Sequence, residues 1–428
     1  MQVYAETSVR ARSRQRRSLH GWVVLAIVLV SLASARPAAA YAWMIRHDYT
    51  GCGQCHADPS GGGLLTPYGR AQGETLLRSQ YGAQVDDPGR VKDFLFGAFE
   101  LPTDTLLLGA DIRDAIFYEK TGSGASAVTN TQFLPMQADL EGQVTVGAFR
   151  ANASLGYEHD GGVEAELTSR PEDNLVSRVH WLGLDFGSDK QWVLRAGHMN
   201  LPFGLRQIEH TFFVRAATRT DTDDAQQDGI ALAYSGANVR TEWMAILGNY
   251  QIRPDAFRER GYSGFVEWAP SNHYALGVSS LLTYAALPNP ELQFTPPLSS
   301  NPLLRQAHGV FARLAPWRPL VVLAEVDGLV NFQPGTLSPG AVAWNGGWAG
   351  LVQVDVEPWQ GVHAIVAGEA TTDPVTQGGS SMSAWFGAAW FFGLHADLRV
   401  DEVLQRLSAG PSPSVPAMST LAQLHLYL

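Results

Sequence analysis

The larger part of this sequence predicts an all-β fold, an antiparallel barrel that crosses a membrane with about 16 strands. Three observations carry that prediction. From about residue 104 onward, apolar side chains recur at every second position rather than every 3.6. Most segments with this period have roughly the 9–11 residues that a tilted strand needs to cross a bilayer. The connections between them alternate between short and long.

Composition agrees with this class. Of 428 residues, 45% are apolar, 10% aromatic and only 17% charged. That apolar share is too high for a disordered chain. Beyond the N-terminus, no run of about 18 apolar residues offers a membrane helix. The formal net charge is −11, and residues 1–40 hold six of the 30 basic side chains against one of the 41 acidic ones. The remainder is therefore still more acidic, which excludes nucleic acid as the natural partner, because phosphate binding needs a basic footprint.

The period-two segments are 105–118, 131–142, 144–157, 176–187, 191–198, 228–236, 239–249, 260–269, 273–284, 305–315, 319–331, 344–357, 362–371, 382–393, 395–404 and 418–428. In one of them Phe149, Ala151, Ala153, Leu155 and Tyr157 alternate with Arg150, Asn152, Ser154, Gly156 and Glu158. Short turns are expected at 141–145, 187–190, 235–238, 270–272, 316–319, 357–361 and around Gly393. Longer loops fill 119–130, 158–175, 199–227, 250–259, 285–304, 332–343, 372–381 and 405–417. An outer-membrane barrel sorts its connections this way, with short periplasmic turns and long outside loops. A soluble sandwich alternates in polarity without sorting its loops by length. An even strand count puts both barrel termini on the periplasmic side.

Trp181, Trp192, Trp243, Trp268 and Trp359 fall near strand ends, where interfacial girdles are expected. The polar phase of the strands is acidic, with Asp139, Glu242, Glu267, Glu325 and Asp355 among its carboxylates. Arg150, Arg178, Arg195, Arg240 and Arg399 share that phase, so pairing in a wet lumen is the expectation. A cation-preferring lumen is the functional alternative. Thr220 to Asp224 offers oxygen ligands for a divalent cation.

Residues 1–40 read as an address. Arg10, Arg12, Arg14, Arg16 and Arg17 form a basic region, Trp22 to Leu32 an apolar core, and Ala38-Ala39-Ala40 a small-residue cleavage pattern. This is the pattern of a cleaved secretory signal peptide. The alternative is a retained membrane anchor, for which the core is short.

Both cysteines of the chain lie in Cys52-Gly53-Gln54-Cys55-His56. C-x-x-C-H is the attachment signature of c-type haem. Two thiols at this spacing add to the two haem vinyl groups, and the adjacent imidazole binds the iron as proximal ligand. The competing reading is a redox pair or a local disulfide. The segment 41–95 offers only His47 and Met44 as a sixth, distal iron ligand. Gly61-Gly62-Gly63 marks a tight loop after the motif. The chain thus divides into a signal peptide (1–40), a small c-type haem (cytochrome) segment (41–95) and a barrel (104–428), with Phe94, Phe96 and Phe99 as anchors between the last two.

Met44 to Arg70, with Cys52-Gly53-Gln54-Cys55-His56 and then Leu65-Thr66-Pro67-Tyr68-Gly69-Arg70, resembles the N-terminal cytochrome of the fused cytochrome–porin family. In that family one c-type haem domain precedes a 16-stranded outer-membrane barrel, and some members oxidise ferrous iron outside the cell. Leu194 to Leu205 is similar to a segment of the phosphate-selective porin family, which implies a porin-type barrel. The resemblance implies one covalent haem c and electron transfer across the bacterial outer membrane, with a periplasmic cytochrome or other redox protein as partner. Two readings compete: a solute porin with a haem-bearing plug, and an extracellular metal oxidase acting on ferrous iron. An electron carrier is expected before a dedicated enzyme.

Overall fold

The computed structural model describes residues 42–59, 61–79, 105–159, 173–207, 209, 211–222, 225–248, 259–285, 303–334, 342–372, 379–393, 395–408 and 414–428. The expected signal peptide, Phe94, Phe96, Phe99, Asp223 and Asp224 lie outside the described residues.

Sixteen strands form one closed antiparallel barrel. They are β1 (Leu106–Thr121), β2 (Val128–Val146), β3 (Phe149–His159), β4 in two pieces (Asp173–Val176 and His180–Phe186), β5 (Trp192–Met199), β6 (Gln227–Ser235), β7 (Val239–Gly248) and β8 (Arg260–Ser271). The second half is β9 (Tyr274–Ala285), β10 (Leu303–Trp317), β11 (Leu320–Pro334), β12 (Val342–Trp359), β13 (Val362–Thr372), β14 (Ser380–Gly393), β15 (Ala396–Leu407) and β16 (Val415–Tyr427). Both pieces of β4 pair with β3, so they are one strand interrupted at Ser177–Val179. Strand β1 closes on β16 from Asp111 opposite Tyr427 to Thr121 opposite Ala417. Closure leaves no edge strand to be satisfied in lipid.

The alternation read from the sequence sets which side chains face out. On β13, His363, Ile365, Ala367 and Glu369 are buried, while Ala364 and Val366 are exposed. Leu140, Leu182, Val326, Val352, Val366 and Phe386 stand exposed on the outside. An apolar outer band around a polar interior is the surface of a barrel immersed in a bilayer. Trp268, Trp317 and Trp359 are exposed beside the short turns, as a girdle requires. Trp181 is not part of it: it is buried and packs in the lumen against Met199 and Met244.

One hairpin differs from expectation. The turn between β2 and β3 lies at Gly147 and Ala148, not at 141–145. Gly142 continues the strand opposite Leu108, and Leu140, Val144 and Val146 keep one outward row through it. Gly147 has φ +64°, the left-handed conformation that a tight hairpin demands.

Two inserts fill the lumen. The connection after β5 turns inward and carries a short helix, α1 (Phe213–Thr218). Phe203, Phe212 and Val214 of that connection pack on Trp385, Leu351 and Leu281 of the wall. Arg215 holds Glu325 through both carboxylate oxygens, at 2.6 and 2.5 Å, with neither side chain exposed. The second insert is the N-terminal segment 42–79.

Arg215→Ala is expected to cost roughly 3–5 kcal/mol, because it leaves the Glu325 carboxylate buried without its partner. The fall should appear as a lower temperature for the folded-to-unfolded mobility shift in heated gel samples.

Candidate functional site

Segment 42–79 enters the barrel at its short-turn end. It begins with a 3-10 turn, Ala42–His47, in which Met44, Ile45 and Arg46 are buried. Ile45 packs on Phe265, Phe311 and Leu323 of the wall. Arg46 bonds Asp355 of β12, and His47 Nε2 lies 3.3 Å from Glu357 Oε2. At the other end, the Ser79 amide donates to the Phe391 carbonyl at 2.8 Å, and the Ser79 hydroxyl to the Gln360 carbonyl at 3.1 Å.

The Cys52–His56 motif lies between these tethers. Thr66 starts a short helix (Pro67–Gln72) by accepting from the Gly69 amide at 3.1 Å, the capping bond that its position before Pro67 predicts. Gly69 lies against Cys55: a Cβ there would stand 2.2 Å from the Cys55 carbonyl oxygen. Gly61 has φ +93°, and its Cβ would stand 3.2 Å from Cys52 Sγ. The glycine run therefore lets the loop return onto the motif.

The wall fixes the motif from the other side. Arg240 Nη1 donates to Cys52 Sγ at 2.9 Å while its Nε holds Glu267 at 2.8 Å. Arg195 Nη1 pairs with Asp58 at 2.8 Å, and its other terminus bonds Glu242. Arg150 donates to the Ala57 carbonyl at 2.9 Å. The Leu64 amide donates to Glu141 Oε2 at 2.9 Å. Many carboxylates and guanidiniums of the lumen are thus paired, as expected, but part of each set is spent on the insert. Arg70 is buried and bonds the Leu108 carbonyl of β1.

Cys52, Cys55 and His56 line one cavity within the barrel, with about 2010 Å³ of non-atom space that includes its opening. Trp43, Met44, Leu64, Leu65, Leu77 and Phe265 give it apolar walls, and Arg178, Arg206 and Arg399 line it as well. His47 is not among the lining residues. The two thiols are not joined in a disulfide. Burial pushes the Cys55 thiol up to about 12, with Cys52 acting in the same direction. A reactive redox pair needs the opposite shift. Burial also holds His56 below its ordinary value, against the opposing bond to Gly63, so the ring is neutral, the form that binds metals. His56 Nδ1 lies 3.2 Å from the Gly63 carbonyl oxygen. A proton on Nδ1 donated there leaves Nε2 as the ligating nitrogen, the support that metal-binding histidines use. These residues fit a covalently held haem: two thiols and a ligating imidazole on one wall, apolar faces, and guanidiniums suited to its carboxylates. Sequence reasoning found the motif and Met44. It also places Arg178, Arg240 and Arg399 on the lumen side, but not which of them, with His425, meet the motif's cavity, because they come from strands far apart in the chain.

No family model matches this sequence, and no curated protein matches it. Solved structures do. The outer-membrane channel DcaP of Acinetobacter baumannii aligns with a TM-score of 0.55 at 11% identity, over 77% of this chain and 99% of that one. OmpT of Vibrio cholerae, an outer-membrane protein, gives 0.55 at 9% identity, over 77% and 99%. An anion-selective porin from Comamonas acidovorans gives 0.53 at 9% identity, over 76% and 99%. The fold is that of an outer-membrane porin barrel.

Arg46→Ala removes the tether to Asp355 and is expected to loosen the insert by roughly 3–5 kcal/mol. Limited proteolysis followed by mass analysis should then show faster cleavage within 42–79 while the barrel fragment persists.

Proposed function

We propose that this protein carries electrons across the bacterial outer membrane through a single c-type haem, attached at Cys52 and Cys55 and ligated by His56. The observation that supports this reading is the placement of all three residues on one cavity inside the barrel. When bound, the haem supplies one-electron redox chemistry whose potential follows its axial ligands and burial.

The chain's own residues set the conditions. His56, oriented by the Gly63 carbonyl, presents Nε2 to the cavity. Met44 lines the same cavity, whereas His47 is held beside Glu357, so Met44 is the residue that would complete the iron's ligand set from the segment. The apolar walls exclude water, and the strands insulate the centre from lipid. The short-turn end, where segment 42–79 enters, faces the periplasm after export by the signal peptide, and it is there that a periplasmic cytochrome docks. The long-loop end meets an outside donor or acceptor, with a metal ion such as ferrous iron as one candidate. One haem does not span a hydrocarbon layer of about 30 Å, so a second redox centre outside completes the path.

A second reading, solute passage with segment 42–79 as a plug, is favoured by the porin fold itself. Ion conductance of the intact protein in planar bilayers separates the two: a closed barrel is expected here, and steady open-channel conductance favours the porin.

A haemochrome spectrum of purified outer membranes should show one c-type band in the wild type and none after Cys52→Ala with Cys55→Ala. Absence of the band from a correctly inserted wild-type barrel overturns the haem reading. Met44→Ala should lower the reduction potential and abolish the long-wavelength methionine–iron absorption, while His47→Ala leaves both in place.

A further inference from the structure

We propose that His180, His198 and Asp228 bind one divalent first-row transition-metal ion on the outward face of the barrel, apart from the lumen. The three come from successive strands, β4, β5 and β6. Register places them side by side: His180 is opposite His198, and His198 is opposite Asp228. One ligand atom from each lies within 4.8 Å of the others. The imidazoles stack with centroids 4.9 Å apart and 15° between planes, and His198 Nδ1 is 3.2 Å from Asp228 Oδ1. Ser177, in the interruption of β4, lies with its Oγ 2.9 Å from His180 Nδ1 and so orients that ring.

The face they occupy is the second observation. Trp181 points into the lumen beside Met199, so its neighbour His180 points outward. The outward rows on these strands start near the short turns with Phe186 and Trp192, whose rings stack, and Tyr234, tilted against Trp192. The next rows contain Leu182 and Ile230, both exposed and apolar. The row after them holds His180, His198 and Asp228 in register. The row lies at the long-loop end of the strands, one residue inside Met199 and Gln227. His198 is fully buried there, and the Asp228 side chain is 19% exposed, so the donors are held among protein atoms with one of them open to solvent.

Two imidazoles and one carboxylate suit zinc, copper, nickel or ferrous iron rather than calcium or magnesium, which take oxygen ligands. Three protein donors also leave a coordination position open to water or an incoming group.

Zinc is the probe. The intact protein, purified in detergent and stripped with chelator, is dialysed against Zn²⁺, and zinc and iron are counted separately by atomic emission, so that haem iron does not enter the zinc count. One zinc per chain is expected in the wild type. His198→Ala and Asp228→Asn should each weaken retention by at least about tenfold, the lower end of what loss of a supporting partner alone costs. His198→Gln replaces His198→Ala if the latter fails the heated-gel test for a folded barrel. A wild type that retains no zinc, or folded variants that retain it as tightly as the wild type, overturns the proposal.

Discussion

A guanidinium taken out of water costs several kcal/mol unless a carboxylate meets it at good geometry, and the lumen of this barrel is organised around that requirement. Some of its ion pairs lie wholly on the wall, and others have one half on the wall and one on an insert. Arg46 comes from the N-terminal segment and Asp355 from β12; Asp58 comes from the segment and Arg195 from β5. Arg215 comes from the inward connection and Glu325 from β11. The inward connection supplies the cation that Glu325 would otherwise lack, the N-terminal segment joins pairs in which Glu242 and His363 also take part, and the wall fixes where each insert can sit.

The position of the Cys-x-x-Cys-His motif follows from those pairs. Arg240 reaches Cys52 while Glu267 holds the same guanidinium, and Glu267 is itself shared with Arg313. Arg313 in turn bonds the Thr50 carbonyl just before the motif. A chain of contacts thus runs from β8 and β10 to the residues that would carry the haem. The apolar contacts of Ile45 and Met44 add shape to what the ion pairs position.

Period two was enough to read all sixteen strands, because a membrane barrel offers each residue only two environments, lipid and lumen. The errors came where one residue type serves two purposes. Gly142 falls where the expected strand 131–142 and the expected turn 141–145 overlap; it sits in a continuous strand, while Gly147, two residues before β3, makes the turn. Trp181 was placed in an interfacial girdle by residue type, but its phase puts it in the lumen beside Arg150 and Arg195, whose guanidiniums lie over its ring. The acidic phase of the strands was legible as a paired lumen. That its partners would include Arg46 and Arg215 was not, since neither lies on a strand.

The sequence by itself determined the barrel class, its strand number, the sorting of its connections and the Cys52–His56 motif, since each depends on neighbours a few residues apart. Only the tertiary structure decided that the motif lies inside the lumen, that Met44 and not His47 lines its cavity, and that the connection after β5 folds inward. It alone brought His180, His198 and Asp228 into one row. These outcomes rest on strand register and on ion pairs between residues as far apart as Arg46 and Asp355. Local periodicity carries no record of which distant partner satisfies a buried charge.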